Sequence, residues 1–311
     1  MILVIGCGGY IGSELTRKFL DLGYSVIGVD NFFHNNQAAI LPFLTYPNFE
    51  FHEIDIRKTE KLKDLIERSS TVYLLAALVG MPLCEKNMAA ATAINTVAVH
   101  NIMELLTTQR LAFCMTNSGY GINSTGVCTE ESPLNPISHY GITKCAAERR
   151  VLSYNNSVSL RLATVFGASL RPRMDLLVNT LTGNLFFDAS VEIFEPHFKR
   201  NYVHIQDVVR ALMWFMDYQY KGIYNVGLPE ANLTKLELAE KISDILEYDR
   251  ECILIDKRRE DPDKRNYIVS NEKLLKTTVK FKYTLEDGIE EVVKLCRLFG
   301  PNIMRLGNDN K

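Results

Sequence analysis

Short apolar runs of strand length alternate along the first half of the chain with stretches whose apolar positions recur every three or four residues. MILVI (1–5), SVIGVD (25–30), FEFHEI (49–54), TVYLLAA (71–77), LAFCMT (111–116) and VSLRLA (158–163) read as strands, and several are apolar on both faces. Between them, Ile11, Leu15, Phe19 and Leu22 share one helical face, and further helices are expected over 60–68, 88–106 and 139–153. Strand and helix in strict alternation predict an α/β fold built on a Rossmann-type, doubly wound parallel sheet. The rhythm changes after residue 165. GASLRPRMDLLVNTL (167–181) is no simple strand–helix unit, HIQDVVRALMWFMDY (204–218) reads as a helix, and NLTKLELAEKISDIL (232–246) starts with a Thr234/Glu237 capping box. The expected organisation is a dinucleotide-binding domain over 1–165, with 202–226 crossing back to it. A smaller C-terminal substrate-binding lobe would be formed mainly by 166–201 and 227–311.

Composition narrows the function. With 35 basic and 37 acidic residues the net charge is −2, and no Lys/Arg block offers a footprint for nucleic acid. The apolar fraction of 47% supplies a sizeable core, yet no run reaches membrane-spanning length and no leader is visible, so a soluble cytoplasmic protein is expected. Seven cysteines stand singly, without metal-ligand spacing, and read as reduced thiols; no metal is expected.

Two stretches carry chemistry. GCGGYIG (6–12) lies between the first strand and the first helix, the context in which three glycines form a dinucleotide-binding turn. Gly6 permits the sharp turn, Gly9 lets a pyrophosphate approach the backbone, and Gly12 lets helix and strand pack closely, with the phosphates facing free N–H groups. Asp30 then ends the second strand, where a carboxylate accepts hydrogen bonds from an adenosine ribose and repels a 2′-phosphate; the pattern favours NAD over NADP. In HYGITK (139–144), Tyr140 and Lys144 are one helical turn apart, so the ammonium can stabilise a phenolate and bring the tyrosine towards use as a base. Thr116 closes a strand, which puts its hydroxyl at the carboxyl edge of the sheet.

Together with DIR (55–57), TNSGYG (116–121), KRNYVHIQDV (199–208) and RREDPDKRNYIVS (258–270), these motifs make the chain resemble, over essentially its whole length, the extended short-chain dehydrogenase/reductases of the NAD-dependent epimerase/dehydratase family, which act on nucleotide sugars. The resemblance implies Tyr140 as catalytic base, Lys144 as the residue that binds the nicotinamide ribose and lowers the tyrosine's pKa, and Thr116 as a hydrogen-bond partner of the reacting sugar hydroxyl. It places Gly6, Gly9, Tyr10, Ile11, Gly12, Asp30, Asn31, Asp55, Ile56, Ala76 and Ala77 around NAD. It places Asn179, Arg200 and either Arg258 or Arg259 around the substrate diphosphate.

Departures from the family pattern narrow the activity. Leu74 and Leu75 precede Ala76–Ala77 where many members have His-x-Ala-Ala, and Thr164 stands where an asparagine is common. Asn117 and Ser118 replace the Asp-Glu pair of the 4,6-dehydratases, so the acid and base for eliminating water are missing. The expected first step is oxidation of the sugar 4-hydroxyl. A 4-epimerase would return the hydride to the other face, and a 4-dehydrogenase would release the keto sugar. AALVGMPLCEKN, TNSGYG, RLATVFG and EDPDKRNYIVS look closest to a subgroup of bacterial surface-polysaccharide enzymes that includes a GDP-heptose 4-dehydrogenase. The family also implies a homodimer paired through the helices around 87–106 and 139–153.

Overall fold

The structure, a computed structural model, describes residues 1–216, 219–258, 260 and 265–308. Seven strands form the central sheet: β1 (Ile2–Ile5), β2 (Val26–Asp30), β3 (Phe49–Glu53), β4 (Thr71–Leu74), β5 (Arg110–Thr116), β6 (Ser157–Leu162) and β7 (Gly222–Val226). They lie in the order β7-β6-β5-β4-β1-β2-β3, and every pairing is parallel. Order reverses between β1 and β4, which defines the crevice where ligands bind in such sheets.

The apolar runs are explained by burial on both faces. Ile2 and Val4 join one core cluster with Leu15, Phe19, Val208 and Leu212, while Leu3 and Ile5 join the cluster on the opposite face with Leu65, Ile102 and Val151. Helices Tyr10–Asp21 and Ile205–Trp214 therefore cover one side of the sheet, and Val99–Leu105 and His139–Leu152 the other.

Two expected elements differ in extent. The run at 71–77 stops as a strand at Leu74, because Leu75 and Ala76 both donate their N–H to Ile5 O and the chain turns away across the crevice. The helix expected over 88–106 runs from Met88 to Leu105, with a π-helical turn at Ala93–Ala98. That turn aims buried Asn95 at Leu78, whose N–H and C=O it bonds at 2.8 and 2.9 Å.

Beyond β6 a second lobe has its own core of Phe166, Val178, Leu185, Tyr202, Leu238, Ile242 and Ile289. It holds a three-stranded sheet of Thr164–Phe166, Lys199–His204 and Asn232–Thr234, and a helix Lys235–Ile245 that opens on the Thr234/Glu237 capping box. Between the lobes, the strand Asn266–Val269 pairs with Ile122–Cys128, which leaves the end of β5 by way of the turn Asn117–Tyr120.

Candidate active site

At the end of β1 the chain enters the glycine turn. Ile5 is in register with Val29 on one side and Leu74 on the other, so the turn sits between Asp30 and Leu75. The packing leaves no room for side chains. A Cβ on Gly12 would lie 1.9 Å from Gly6 O, and one on Gly6, whose φ is +98°, would lie 2.7 Å from Ala76 N. Asp30 accepts hydrogen bonds from Gly8 N (3.0 Å) and Phe32 N (2.8 Å), and burial raises its carboxyl above the usual value.

One cleft of about 310 Å³ collects Gly6, Gly9, Tyr10, Ile11, Gly12, Asp30, Asn31, Asp55, Ile56, Ala76, Ala77, Thr116, Tyr140 and Lys144. These residues come from five crossovers of the sheet and meet only in the fold. NAD fits their chemistry. The glycine turn meets the N-terminus of the Tyr10–Asp21 helix without side chains in the way, and buried Asn36 lines the same cleft with Oδ1 lacking a hydrogen-bond partner among the described residues.

The reactive end lies at the carboxyl edge of β5. Ser138 caps the His139–Leu152 helix by accepting Gly141 N–H at 3.2 Å, which fixes where Tyr140 and Lys144 project. Lys144 is buried, with Nζ 4.0 Å from the centre of the Phe113 ring, and burial lowers its pKa to about 8. Burial also pushes Tyr140 up to about 12, against which the positive charges of Arg173 and Arg265 and a hydrogen bond from Thr116 act to lower it. Without a further cation at the site Tyr140 is therefore a weak acid; an oxidised nicotinamide would add one.

Thr116 accepts Ser118 N–H at 3.1 Å and lies 2.9 Å from Ser118 Oγ. Behind them, Arg161 and Glu148 form a buried ion pair (2.8 Å) that also engages Ser159 and Tyr120. It ties the Tyr140 helix to β6 and to the turn after Thr116. A lone charged residue, Arg161, in a fully buried strand, and a glutamate one turn beyond Lys144, were the sequence signals for this pair, which the motif reading did not use.

Of the substrate residues expected from the resemblance, Thr116 lines the cleft, whereas Asn179, Arg200 and Arg258 do not. Asn179 is spent on the backbone, bonding Gly167 N (3.2 Å) and Arg173 O (2.9 Å). Arg200 is buried behind the cleft, bonded to Lys199 O and flanked by the Phe198 and Tyr267 rings. Arg258 is turned outwards towards Asp256, its side chain 93% exposed. Arg259 lies outside the described residues. Among the described residues, the cleft arginines are instead Arg171, Arg173 and Arg265. Arg173 is paired with Asp175, whereas Arg171 has no ion-pair partner among the described residues, and burial together with Arg173 lowers its pKa to about 10. The first two stand in the RPRM stretch, whose irregular pattern was the only signal of them. Among the described residues no cluster of His, Cys, Asp or Glu could hold a metal, and no helix is long and apolar enough to cross a membrane.

A switch-point crevice with a glycine turn, an acidic β2 terminus and a Thr–Tyr–Lys constellation defines an NAD-dependent short-chain dehydrogenase/reductase of the extended type. The model of the NAD dependent epimerase/dehydratase family matches residues 2–227, and the chain belongs to that family. Its relatives include a UDP-glucose 4-epimerase of Lactobacillus helveticus, 26% identical over 276 residues (78% of this chain, 82% of the relative), and UDP-glucuronic acid decarboxylase 2 of Arabidopsis thaliana, 26% identical over 317 residues (96% and 69%). Among solved structures, UDP-glucose 4-epimerase of Thermotoga maritima with UDP-glucose superposes with a TM-score of 0.83 at 26% identity, covering 96% of this chain and 98% of the other. UDP-glucuronic acid 4-epimerase of Bacillus cereus, solved with UDP-glucuronic acid and NAD, shares the fold with a TM-score of 0.84 at 23% identity, covering 96% and 99%.

Proposed function

We propose that the protein is an NAD-dependent nucleotide-sugar 4-epimerase. The observation that carries this reading is that Thr116, Tyr140 and Lys144 line the same cleft as the glycine turn and Asp30. Bound NAD supplies a hydride acceptor and donor. Tyr140 takes the proton of the sugar 4-hydroxyl, Thr116 shares the hydrogen bond to the same oxygen, and Lys144 stabilises the phenolate. Positioned acid–base help of this kind contributes about 10²–10⁴-fold. Residues 1–165 with 202–226 hold NAD, and 166–201 with 227–311 face the nucleotide sugar. Arg171, a cleft arginine with no ion-pair partner among the described residues, suits the diphosphate, because a guanidinium gives paired, charge-assisted hydrogen bonds to phosphate oxygens.

Ser118 stands where a dehydratase needs its glutamate, which supports reactions that eliminate no water. The 4-dehydrogenase of GDP-heptose type uses the same first step and is the second reading, supported by the RLATVFG and EDPDKRNYIVS resemblance. Incubation with UDP-, GDP- and dTDP-sugars, followed by mass spectrometry of the products and of the cofactor's oxidation state, separates the two. An epimer with cofactor returned to NAD supports the first; a 4-keto sugar with reduced cofactor supports the second, and release of carbon dioxide overturns both.

The reading includes a cytoplasmic homodimer. Met88, Val97 and Ile142, about half exposed on the adjoining helices of 88–105 and 139–152, would be covered by a second copy of the same face. Sedimentation at micromolar concentration tests this, and a monomer counts against it.

A further inference from the structure

Arg265 reaches the reactive centre from the strand Asn266–Val269, donating a hydrogen bond from its guanidinium to Ser118 Oγ. Ser118 is buried, and its Oγ lies 2.9 Å from Thr116 Oγ1. Thr116 and Tyr140 line the same cleft. Arg265, Ser118 and Thr116 form a line from the strand Asn266–Val269 to the cleft that Tyr140 lines.

The direction of the protons along this line follows from donor and acceptor inventories. A guanidinium only donates, so Ser118 accepts from Arg265 and keeps its own proton for a neighbour. The neighbour within reach is Thr116. Thr116 Oγ1 already accepts Ser118 N–H at 3.1 Å, and a second bond from Ser118 O–H fills both of its lone pairs. Its single proton is then left for Tyr140 or for the substrate oxygen beside it. With the arginine removed, Ser118 can turn its proton elsewhere and Thr116 can donate back to Ser118, so that its proton is no longer kept for the cleft.

We propose that Arg265 is a positioning residue: it orders the hydroxyl protons of Ser118 and Thr116 so that Thr116 keeps its proton for the cleft, for Tyr140 while the substrate site is empty and for the sugar oxygen once it is filled. This rests on the reading of Tyr140 as the base. Among the described residues, the charged or titratable groups that face Tyr140 include Lys144 on its own helix, Cys84 on the Met81–Lys86 helix, Arg173 on the loop after the strand Thr164–Phe166, and Arg265 itself. Of these, Arg265 is the one bonded to the Ser118–Thr116 pair.

The test uses NAD-loaded protein and two readouts. The first needs no substrate: tyrosinate absorbance is titrated, and the curve of Tyr140→Phe is subtracted to isolate Tyr140. The second is the pH dependence of cofactor reduction on mixing with a nucleotide sugar. Arg265→Met should move both the Tyr140 midpoint and the rising limb of the rate to higher pH by about one unit, lowering the rate on the acid side about tenfold. Ser118→Ala, which removes the middle link and keeps the cation, should produce a shift of the same sign, and the double variant should add little. Arg265→Lys, also a donor-only cation, should recover part of the effect. Unchanged midpoints in both single variants overturn the proposal. A shift in Arg265→Met with none in Ser118→Ala also overturns it, since the arginine then acts through space. If Arg265→Met does not fold, Ser118→Ala decides by itself. If no nucleotide sugar reduces the cofactor in the unmodified protein while the Tyr140 midpoint still shifts, the proposed function fails and the proton order stands.

Discussion

Lys144 Nζ sits 4.0 Å from the centre of the Phe113 ring, so the ammonium is held between an aromatic face and the cleft in a position that is only 4% exposed. Its pKa of about 8, set mainly by burial, lies below the ordinary 10.5, and the unfolded chain therefore binds more protons than the folded one between those values. Stability contributed by this group rises with pH across that window, by about 3 kcal/mol in all. Lys144→Met should abolish turnover yet make the cofactor-free protein more stable below pH 8, with the difference narrowing towards pH 10.5. Urea denaturation at several pH values checks this; a less stable variant at pH 7 contradicts it.

Tyr140→Phe retains the ring and removes the ionisable oxygen. Turnover is expected to fall by about 10²–10⁴-fold with little change in nucleotide-sugar affinity. Steady-state kinetics alongside calorimetric binding give the answer, and full activity would refute the assignment of the base.

Asp30 is committed to Gly8 N and Phe32 N at the end of β2, with the rest of its carboxylate facing the cleft. Asp30→Ala should weaken NAD binding more than NADP binding, because it removes both a ribose acceptor and the charge that repels a 2′-phosphate. Equal affinities for the two cofactors in the unmodified protein would count against this role.

Glu148 and Arg161 have side chains 2% and 4% exposed, so each is a buried charge balanced by the other. Removing one partner, as in Glu148→Gln or Arg161→Met, is expected to cost about 3–5 kcal/mol, whereas a double replacement by apolar residues should recover much of it. A double-mutant cycle by chemical denaturation measures the coupling. Additive single losses would show that the pair is not the unit the geometry describes.

Arg171 and Arg258 separate the cleft geometry from the motif resemblance. Arg171→Ala should raise KM for the nucleotide sugar by at least about tenfold, since a hydrogen bond to a charged group contributes about 1.5–3 kcal/mol. Arg258→Ala, at a side chain 93% exposed and turned to Asp256, should raise it less. The reverse order would return the diphosphate to the 258–259 segment.

The sequence by itself determined the parallel sheet, the glycine turn and the Thr116, Tyr140 and Lys144 positions, because each depends on spacing within one element. Two-sided burial writes a strand as a continuous apolar run, a turn too crowded for Cβ demands glycine, and helical pitch places residue 144 one turn after 140. It also marked the Thr234 cap, which needs only four consecutive residues. What the tertiary structure decided is which charges from distant segments face the cleft. RRED and KRN offered arginines to the motif reading, and RPRM carried two that it did not use. The fold turns Arg171, Arg173 and Arg265 inwards, covers Arg200 with Phe198 and Tyr267, and leaves Arg258 in solvent. Asn179 has the composition of a ligand-binding residue, yet its amide is needed by the backbone at Gly167 and Arg173. Arg265 meets Ser118 across 147 residues of chain, through the pairing of Asn266–Val269 with Ile122–Cys128. Such a contact follows from the path of the whole chain, because long side chains of one type differ in role only by what the surrounding packing lets them reach.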